Sequence, residues 1–204
     1  MHKLTVKSLS KRFGGRKVFD GISFQLGLSE SIAIVGPNGS GKSTLMLCLL
    51  ALYRPNKGSV QFSFSEKAMD DSAIRANVSL VAPYLNLYDY LTAEENIVLF
   101  SSFAGATPTG KEINALLLRM GLEGRGSDHL GTFSSGMKQR LKYAVALARK
   151  PKFLFLDEPT ANLDEAGKQI VREVIVESRQ TAVTVLATNE PEEYSLAQQQ
   201  CRLG

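Results

Sequence analysis

Residues Ser31–Tyr53 read SIAIVGPNGSGKSTLMLCLLALY, and this stretch decides the fold. Its opening, Ile32-Ala33-Ile34-Val35, is apolar, too short for a helix and rich in β-branched residues, which predicts a buried strand. Gly36-Pro37-Asn38-Gly39-Ser40-Gly41-Lys42-Ser43-Thr44 follows and fits G-x-x-x-x-G-K-[ST] at every fixed position. Leu45–Leu52 is an apolar segment stopped by Arg54-Pro55-Asn56, the pattern of a helix with its terminator. Strand, glycine loop and helix come in the order that a phosphate-binding loop requires.

The chemistry of such a loop lies in its backbone. Successive N–H groups in a tight glycine turn form a concave donor nest for a phosphate chain. The start of the following helix adds free N–H groups and the positive end of its dipole. Glycines at 36, 39 and 41 permit positive φ and close approach. Lys42 is expected to face the β- and γ-phosphates, and the Ser43 hydroxyl to bind Mg²⁺.

Composition bounds the rest. A chain of 204 residues predicts one domain, or one domain with a lobe, at ~100–200 residues per domain. With 44% hydrophobic and 22% charged residues, a core needs neither disulfides nor a structural metal. The two cysteines, Cys48 and Cys201, have no metal or redox spacing, and a reducing compartment fits. A net charge of +4 with no long basic tract gives no argument for direct nucleic-acid binding. The apolar run at 45–53 falls well short of the ~20 residues that cross a bilayer, and no secretory signal opens the sequence. The expectation is a soluble, cytoplasmic chain whose membrane association comes through a partner.

Along the chain, residues 3–9 alternate and predict a half-exposed strand, with a turn at Ser10–Gly15. Val18–Gly21 reads as a break before the alternating Ile22–Leu26. With Ser59–Phe64 these predict an antiparallel sheet. Phe13, in the first turn, either stacks on a base or plugs the turn. Glu66–Asn77 reads as a loop with a short helix, and Val78–Ala82 as a core strand that Pro83 ends. An aromatic segment, Tyr84–Leu91, leads to the capping box Thr92-x-x-Glu95 and a helix to about Phe103. A second helix is expected over Lys111–Met120. Phe133–Arg140 opens a long helix to Lys150, with Met137, Leu141, Ala144, Val145 and Ala148 on one face.

Lys152–Glu158 (KFLFLDE) is a continuous apolar strand ending in two acids, as in a parallel strand buried on both faces. Adjacent strand residues point in different directions. Asp157 is therefore expected in the Mg²⁺ shell, and Glu158 against an attacking water. Asp164 is expected to N-cap a helix from Glu165 to about Ser178. Val183–Ala187 is the last clear core strand, and a helix from Pro191 fades in Gln198–Gln200.

The chain resembles the nucleotide-binding subunit of ABC transporters over nearly its whole length. GPNGSGKST resembles Walker A, FLFLDEP Walker B with its glutamate, FSSGM (133–137) the signature, and Asn162-Leu163-Asp164 the D-loop. Phe13 falls at the A-loop aromatic. The resemblance implies an α/β P-loop NTPase over residues 1–204. It would have a mostly parallel core sheet, an N-terminal antiparallel β subdomain, and a helical subdomain inserted at about 84–149. It implies ATP and Mg²⁺ as ligands, with Phe13, residues 36–44, Ser134, Ser135, Gly136 and Asp164 as nucleotide-contacting positions. It also implies two partners. One is a second ABC ATPase subunit, since one chain cannot bring its own signature to its own glycine loop. The other is a transmembrane permease holding the protein at the inner face of the cell membrane.

Two positions depart from the family pattern. The loop glutamine after Val78–Ala82 is replaced by Pro83 and Tyr84, with Asn86 the only nearby amide. Tyr84, Tyr88 and Tyr90 there either read the permease or pack the lobe. The switch histidine is replaced by Asn189, which offers an amide but no charge. His129 is expected to be a solvated loop residue. The form of the signature resembles exporter-type subunits, and slow ATP hydrolysis is expected. The alternatives are a weakly or non-hydrolysing regulatory partner in a heterodimer and a soluble, non-transport ABC ATPase.

Overall fold

The computed structural model describes residues 1–204. The chain opens with a long hairpin, β1 (His2–Phe13) and β2 (Arg16–Gly27), closed by Gly14 and Gly15, both at positive φ. Here the structure corrects the sequence reading. Residues 10–13 are strand and not turn, because pairing continues through Lys11↔Phe19, Arg12↔Lys17 and Phe13↔Arg16. The expected break at 18–21 is a bulge within the ladder. Gly21 sits there at φ +69°, its N–H donates to the Ser10 hydroxyl, and that hydroxyl donates to Asp20. The longer hairpin carries Phe13 out to its tip.

Next come β3 (Ser31–Val35), α1 (Lys42–Leu49), β4 (Lys57–Phe64) and the two-residue β5 (Lys67–Ala68). β4 pairs antiparallel with β1, giving a four-stranded sheet of order β2-β1-β4-β5. Then follow α2 (Asp71–Asn77), β6 (Val78–Val81), α3 (Ala93–Ser102), α4 (Gly110–Arg119), α5 (Ser135–Ala148), β7 (Phe153–Asp157), α6 (Glu165–Ser178), β8 (Val183–Thr188), α7 (Pro191–Tyr194) and β9 (Gln199–Arg202). The second sheet is wholly parallel, in the order β6-β7-β8-β3-β9.

The expected helix fading through Gln198–Gln200 is not present. α7 is a single turn, and Gln199–Arg202 pairs with the free edge of β3. An edge strand keeps its side chains in water, so a polar run serves as well as an apolar one. Leu203 then anchors the end, its N–H donating to the Val35 carbonyl at 2.8 Å.

The core lies on both faces of the parallel sheet. β7 alternates strictly: Phe153 and Phe155 join α1 and the antiparallel sheet, whereas Leu154 and Leu156 face the helices. α5 packs against α3 and α4 on one side and against β6 and α6 on the other. Its buried set is therefore wider than one stripe and includes Gln139, Tyr143 and Ala146.

Side-chain caps fix the helix starts. Thr92 and Glu95 close the predicted capping box. Thr109 and Glu112 close a second at α4, from another T-x-x-E pattern. Asn96, fully buried, holds the turn before α3: it donates to the carbonyls of Tyr88 and Thr92 and accepts from the Tyr88 N–H at 2.9 Å. Asn96→Ala should cost roughly 2–3 kcal/mol by orphaning those backbone groups. Thr92→Ala should cost about 1 kcal/mol. Urea unfolding of the two variants checks the order.

Candidate functional site

Parallel register sets the site. Val35 lies beside Thr188, and Asp157 beside Ala187, so β7, β8 and β3 end along one edge of the sheet. The glycine loop, the Asp157–Glu158 pair and the Thr188–Asn189 turn all leave that edge, where ligands bind in open α/β sheets.

The glycine loop is gripped from two sides. A Cβ on Gly36 would lie 2.5 Å from the Leu203 carbonyl oxygen and from Ser40 Oγ. At Gly41, φ is +100° and a Cβ would meet Val18 Cγ1 at 2.4 Å. Gly36 is thus required for space alone, whereas Gly41 is required for both space and φ. Lys42 is buried, and its ammonium donates to the carbonyls of Gly36 (2.8 Å) and Pro37 (3.2 Å), inside the curve of the loop. α3, α4, α5 and α6 each carry a side-chain cap, from Thr92, Thr109, Ser134 and Asp164. α1 has none, since Gly41 stands at its N-cap. Its first N–H groups and dipole end are left for an anion.

A cleft of about 700 Å³ runs from the loop to the hairpin tip, with Asn38–Thr44, Glu158 and Phe13 on its walls. Phe13 is half exposed; the Lys11 ammonium lies 4.6 Å from its ring centroid, and Tyr53 meets the ring in a T-shape at 6.0 Å. Arg16 and Lys17 also line the cleft. These two cations were not singled out from sequence, although their place directly after Gly14-Gly15 was the signal.

Asp157 is buried, and neither carboxylate oxygen has a hydrogen-bond partner of normal geometry. Burial raises its pKa, the facing hydroxyls of Ser43 and Tyr84 pull it partly back, and the Glu158 charge raises it further. Burial and the Asp157 charge in turn raise the Tyr84 phenol. An unpaired buried carboxylate next to a serine hydroxyl is a donor set suited to a hard divalent cation, so Ser43 and Asp157 fit Mg²⁺. Tyr84 is the residue of its loop that reaches Asp157. Asn86 instead lines a separate small pocket against α5. Tyr88 stacks on Phe100, and Tyr90 is almost fully exposed.

Glu158 is exposed and takes φ +46°, its N–H donating to the Ala187 carbonyl at 2.8 Å. This left-handed step turns the chain off β7 and puts the side chain on the cleft wall. Asn189 lines a second cleft, of about 400 Å³, that shares Asn38 and Glu158 with the first. Its turn is fixed by the Glu190 N–H donating to the Thr188 hydroxyl at 3.0 Å.

The structure does not bring every expected residue together. Ser134, Ser135 and Gly136 line neither cleft. The Ser134 hydroxyl accepts from the Met137 N–H at 3.2 Å as the cap of α5, and Gly136 packs against the Asn162 carbonyl. Asp164 lines neither cleft, and its carboxylate accepts from the Gly167 N–H at 2.9 Å as the cap of α6. His129 is exposed, with its ring Nδ1 3.1 Å from the Tyr90 carbonyl.

A glycine loop after a parallel strand, ahead of an uncapped helix and beside a buried acid, defines a P-loop nucleotide-binding domain. The ABC transporter family model matches residues 19–161, and the chain belongs to that family. It is 31% identical over 188 residues to the linearmycin resistance ATP-binding protein of Bacillus subtilis, covering 91% of this chain and 60% of that protein. It is 29% identical over 191 residues to the doxorubicin resistance ATP-binding protein of Mycobacterium tuberculosis, covering 92% and 58%. The lantibiotic transport ATP-binding protein of Streptococcus pyogenes is 32% identical over 186 residues, covering 91% and 79%. The chain thus spans about 60% of the length of the two resistance proteins. Among solved structures, an ATP-binding subunit of an ABC transporter superposes with a TM-score of 0.85 at 27% identity, over 98% of this chain and 85% of that one. A dimeric, post-hydrolysis ATP-binding cassette bound to ADP and Pi shares the fold, with a TM-score of 0.84 at 24% identity, over 98% of this chain and 94% of that one.

Two outcomes follow from the geometry. Gly36→Ala should weaken ATP binding by at least about tenfold, ~1.4 kcal/mol, with the far-UV spectrum unchanged, as read by fluorescent-nucleotide titration. The Asp157 carboxyl holds its proton to a higher pH when folded than when unfolded. Stability therefore falls as pH rises from the unfolded pKa through the raised folded one. Asp157→Asn should remove that fall and raise the melting temperature of the metal-free protein at neutral pH, as followed by thermal unfolding from pH 3 to 8.

Proposed function

We propose that this chain is the ATP-binding and ATP-hydrolysing subunit of an ABC exporter, acting on a separate membrane permease. The observation that carries the reading is the pairing, on one sheet edge, of an uncapped helix start with a buried, unpartnered carboxylate. The first is a phosphate site and the second a cation site, and the Ser43 hydroxyl belongs to both.

Each residue then has a task set by its position. Loop N–H groups from Asn38 to Thr44 and the Lys42 ammonium hold the phosphate chain. Phe13 supports the base through one ring face. Mg²⁺, held by Ser43 and Asp157, would neutralise charge between the β- and γ-phosphates. Glu158 orients the attacking water and takes its proton, and the Asn189 amide donates toward the γ-phosphate. Ser134–Gly136 sit at the start of α5, away from their own chain's loop, so a second subunit is the natural source of that contact. We therefore infer a head-to-tail pair of such domains that closes on ATP and reopens after hydrolysis.

The names of the relatives, which concern resistance to linearmycin and doxorubicin and lantibiotic transport, support an export role. No helix of the chain is long and apolar enough to cross a membrane. The permease would provide the path and hold the domain at the inner membrane face. Asn189 favours one variation on this reading, a slow subunit paired with a faster one.

Glu158→Gln should lower steady-state ATP hydrolysis by ~10²-fold or more while leaving ATP affinity within threefold. Wild-type turnover no faster than this variant would contradict hydrolysis by this chain. Asn189→His should raise kcat by about tenfold, ~1.4 kcal/mol, by adding charge where it develops in the transition state. Phosphate-release assays read both.

A further inference from the structure

The cleft shared by Glu158 and Asn189 has another carboxylate in its wall, Glu193 on α7. It is only 3% exposed and forms no ion pair: the neighbouring Arg172 binds Glu165 and Glu192 instead. One Glu193 oxygen accepts from the Thr160 hydroxyl, and the other, Oε2, has no partner. Thr160 is itself buried and follows Pro159, whose carbonyl accepts from the Tyr143 hydroxyl at 2.8 Å. Tyr143 is fully buried, and the Glu193 charge adds to burial in raising its phenol. The four residues form one linked, largely buried polar group between the cleft wall and the core. A buried carboxylate costs far more than an apolar side chain in its place, so a function is the physical expectation.

The residue this group adjoins is Glu158. A non-glycine residue at φ +46° is held at a cost of order 1–3 kcal/mol and stays there only if its flanks are fixed. On the N-terminal side the flank is β7, together with the Glu158 N–H bond to Ala187. On the C-terminal side it is the Pro159–Thr160 turn, held by Tyr143 and Glu193. Glu193 is also part of the segment that carries Asn189, since its N–H donates to the Glu190 carbonyl at 3.1 Å. One side chain thus joins the turn after Glu158 to the turn after Asn189.

We propose that Glu193, through Thr160, is a positioning residue that clamps these two turns together and fixes where Glu158 and Asn189 point. The inference rests on the hydrolytic reading above. It assigns to the Asn189 segment a mechanical role that the amide of Asn189 does not supply.

The test uses Glu193→Ala, Glu193→Gln, Thr160→Val and Thr160→Ser. In the nucleotide-free protein the Ala161 amide donates to the Glu158 carbonyl and the Leu163 amide to the Thr160 carbonyl, so both report the turn. Their hydrogen exchange should accelerate at least tenfold in Glu193→Ala and Thr160→Val. It should stay near wild type in Glu193→Gln and Thr160→Ser, which keep the hydrogen bond. kcat for ATP should fall at least tenfold in the first two with KM within threefold, and the conservative pair should restore most of it. The double variant Glu193→Ala/Thr160→Val should be no worse than either single one. If Glu193→Ala does not fold, the nearly isosteric Thr160→Val decides. Unchanged exchange at Ala161 and Leu163 would overturn the clamp, as would Glu193→Gln behaving like Glu193→Ala. A wild-type protein without ATPase activity would sink the hydrolytic reading instead, and the exchange result would still judge the clamp.

Discussion

A buried carboxylate governs this structure. Asp157 ends a strand whose five residues are all buried, and neither of its oxygens has a hydrogen-bond partner of normal geometry, although the Ser43 and Tyr84 hydroxyls face it. Folding alone would not favour such a group, because desolvation penalises its charged form. It is tolerated at the end of β7 because the Ser43 hydroxyl faces it and Lys42 lies close enough to offset part of the penalty. Burial and the nearby Glu158 charge make the carboxylate costly in the free protein, and a bound cation would relieve that cost. Stability and ligand binding are thus opposed at one residue, a trade familiar at functional sites.

The rest of the fold brings chemistry to that residue. Parallel register aligns the ends of β3, β7 and β8, so three turns from distant parts of the sequence meet at one edge. The antiparallel hairpin reaches past the loop and delivers Phe13, Arg16 and Lys17 to the same cleft. The helical lobe does the reverse. It carries the start of α5, whose residues 134–136 line neither cleft. A glycine loop that reads in isolation as a complete phosphate cradle is the half of the proposed two-subunit site that this chain itself carries.

Much of this was legible in the sequence because it is written in local, short-range signals. β3, β7 and β8 are apolar runs, the glycine loop is a contiguous pattern, and Thr92-x-x-Glu95 is a local cap. What escaped is set by pairing or by contact across the fold. Lys11–Phe13 and Gln199–Arg202 are strands because a neighbouring backbone needs partners, and their polar side chains carry no periodic signal of it. Tyr84 meets Asp157 across 73 residues of sequence and Thr160 meets Glu193 across 33, and no spacing rule predicts either contact. Tyr84 and Asn189 stand out only through the resemblance, which implies other residues there. Their surroundings, a carboxylate for one and a braced turn for the other, came from the fold.

The central claim is that the glycine loop and Asp157 make one magnesium–nucleotide site. Titration calorimetry of the wild-type chain with ATP, with and without Mg²⁺, tests it most directly. The account predicts saturable binding of one ATP per chain and at least about tenfold tighter binding with Mg²⁺, ~1.4 kcal/mol. Failure of ATP to bind, or an affinity indifferent to Mg²⁺, would contradict it.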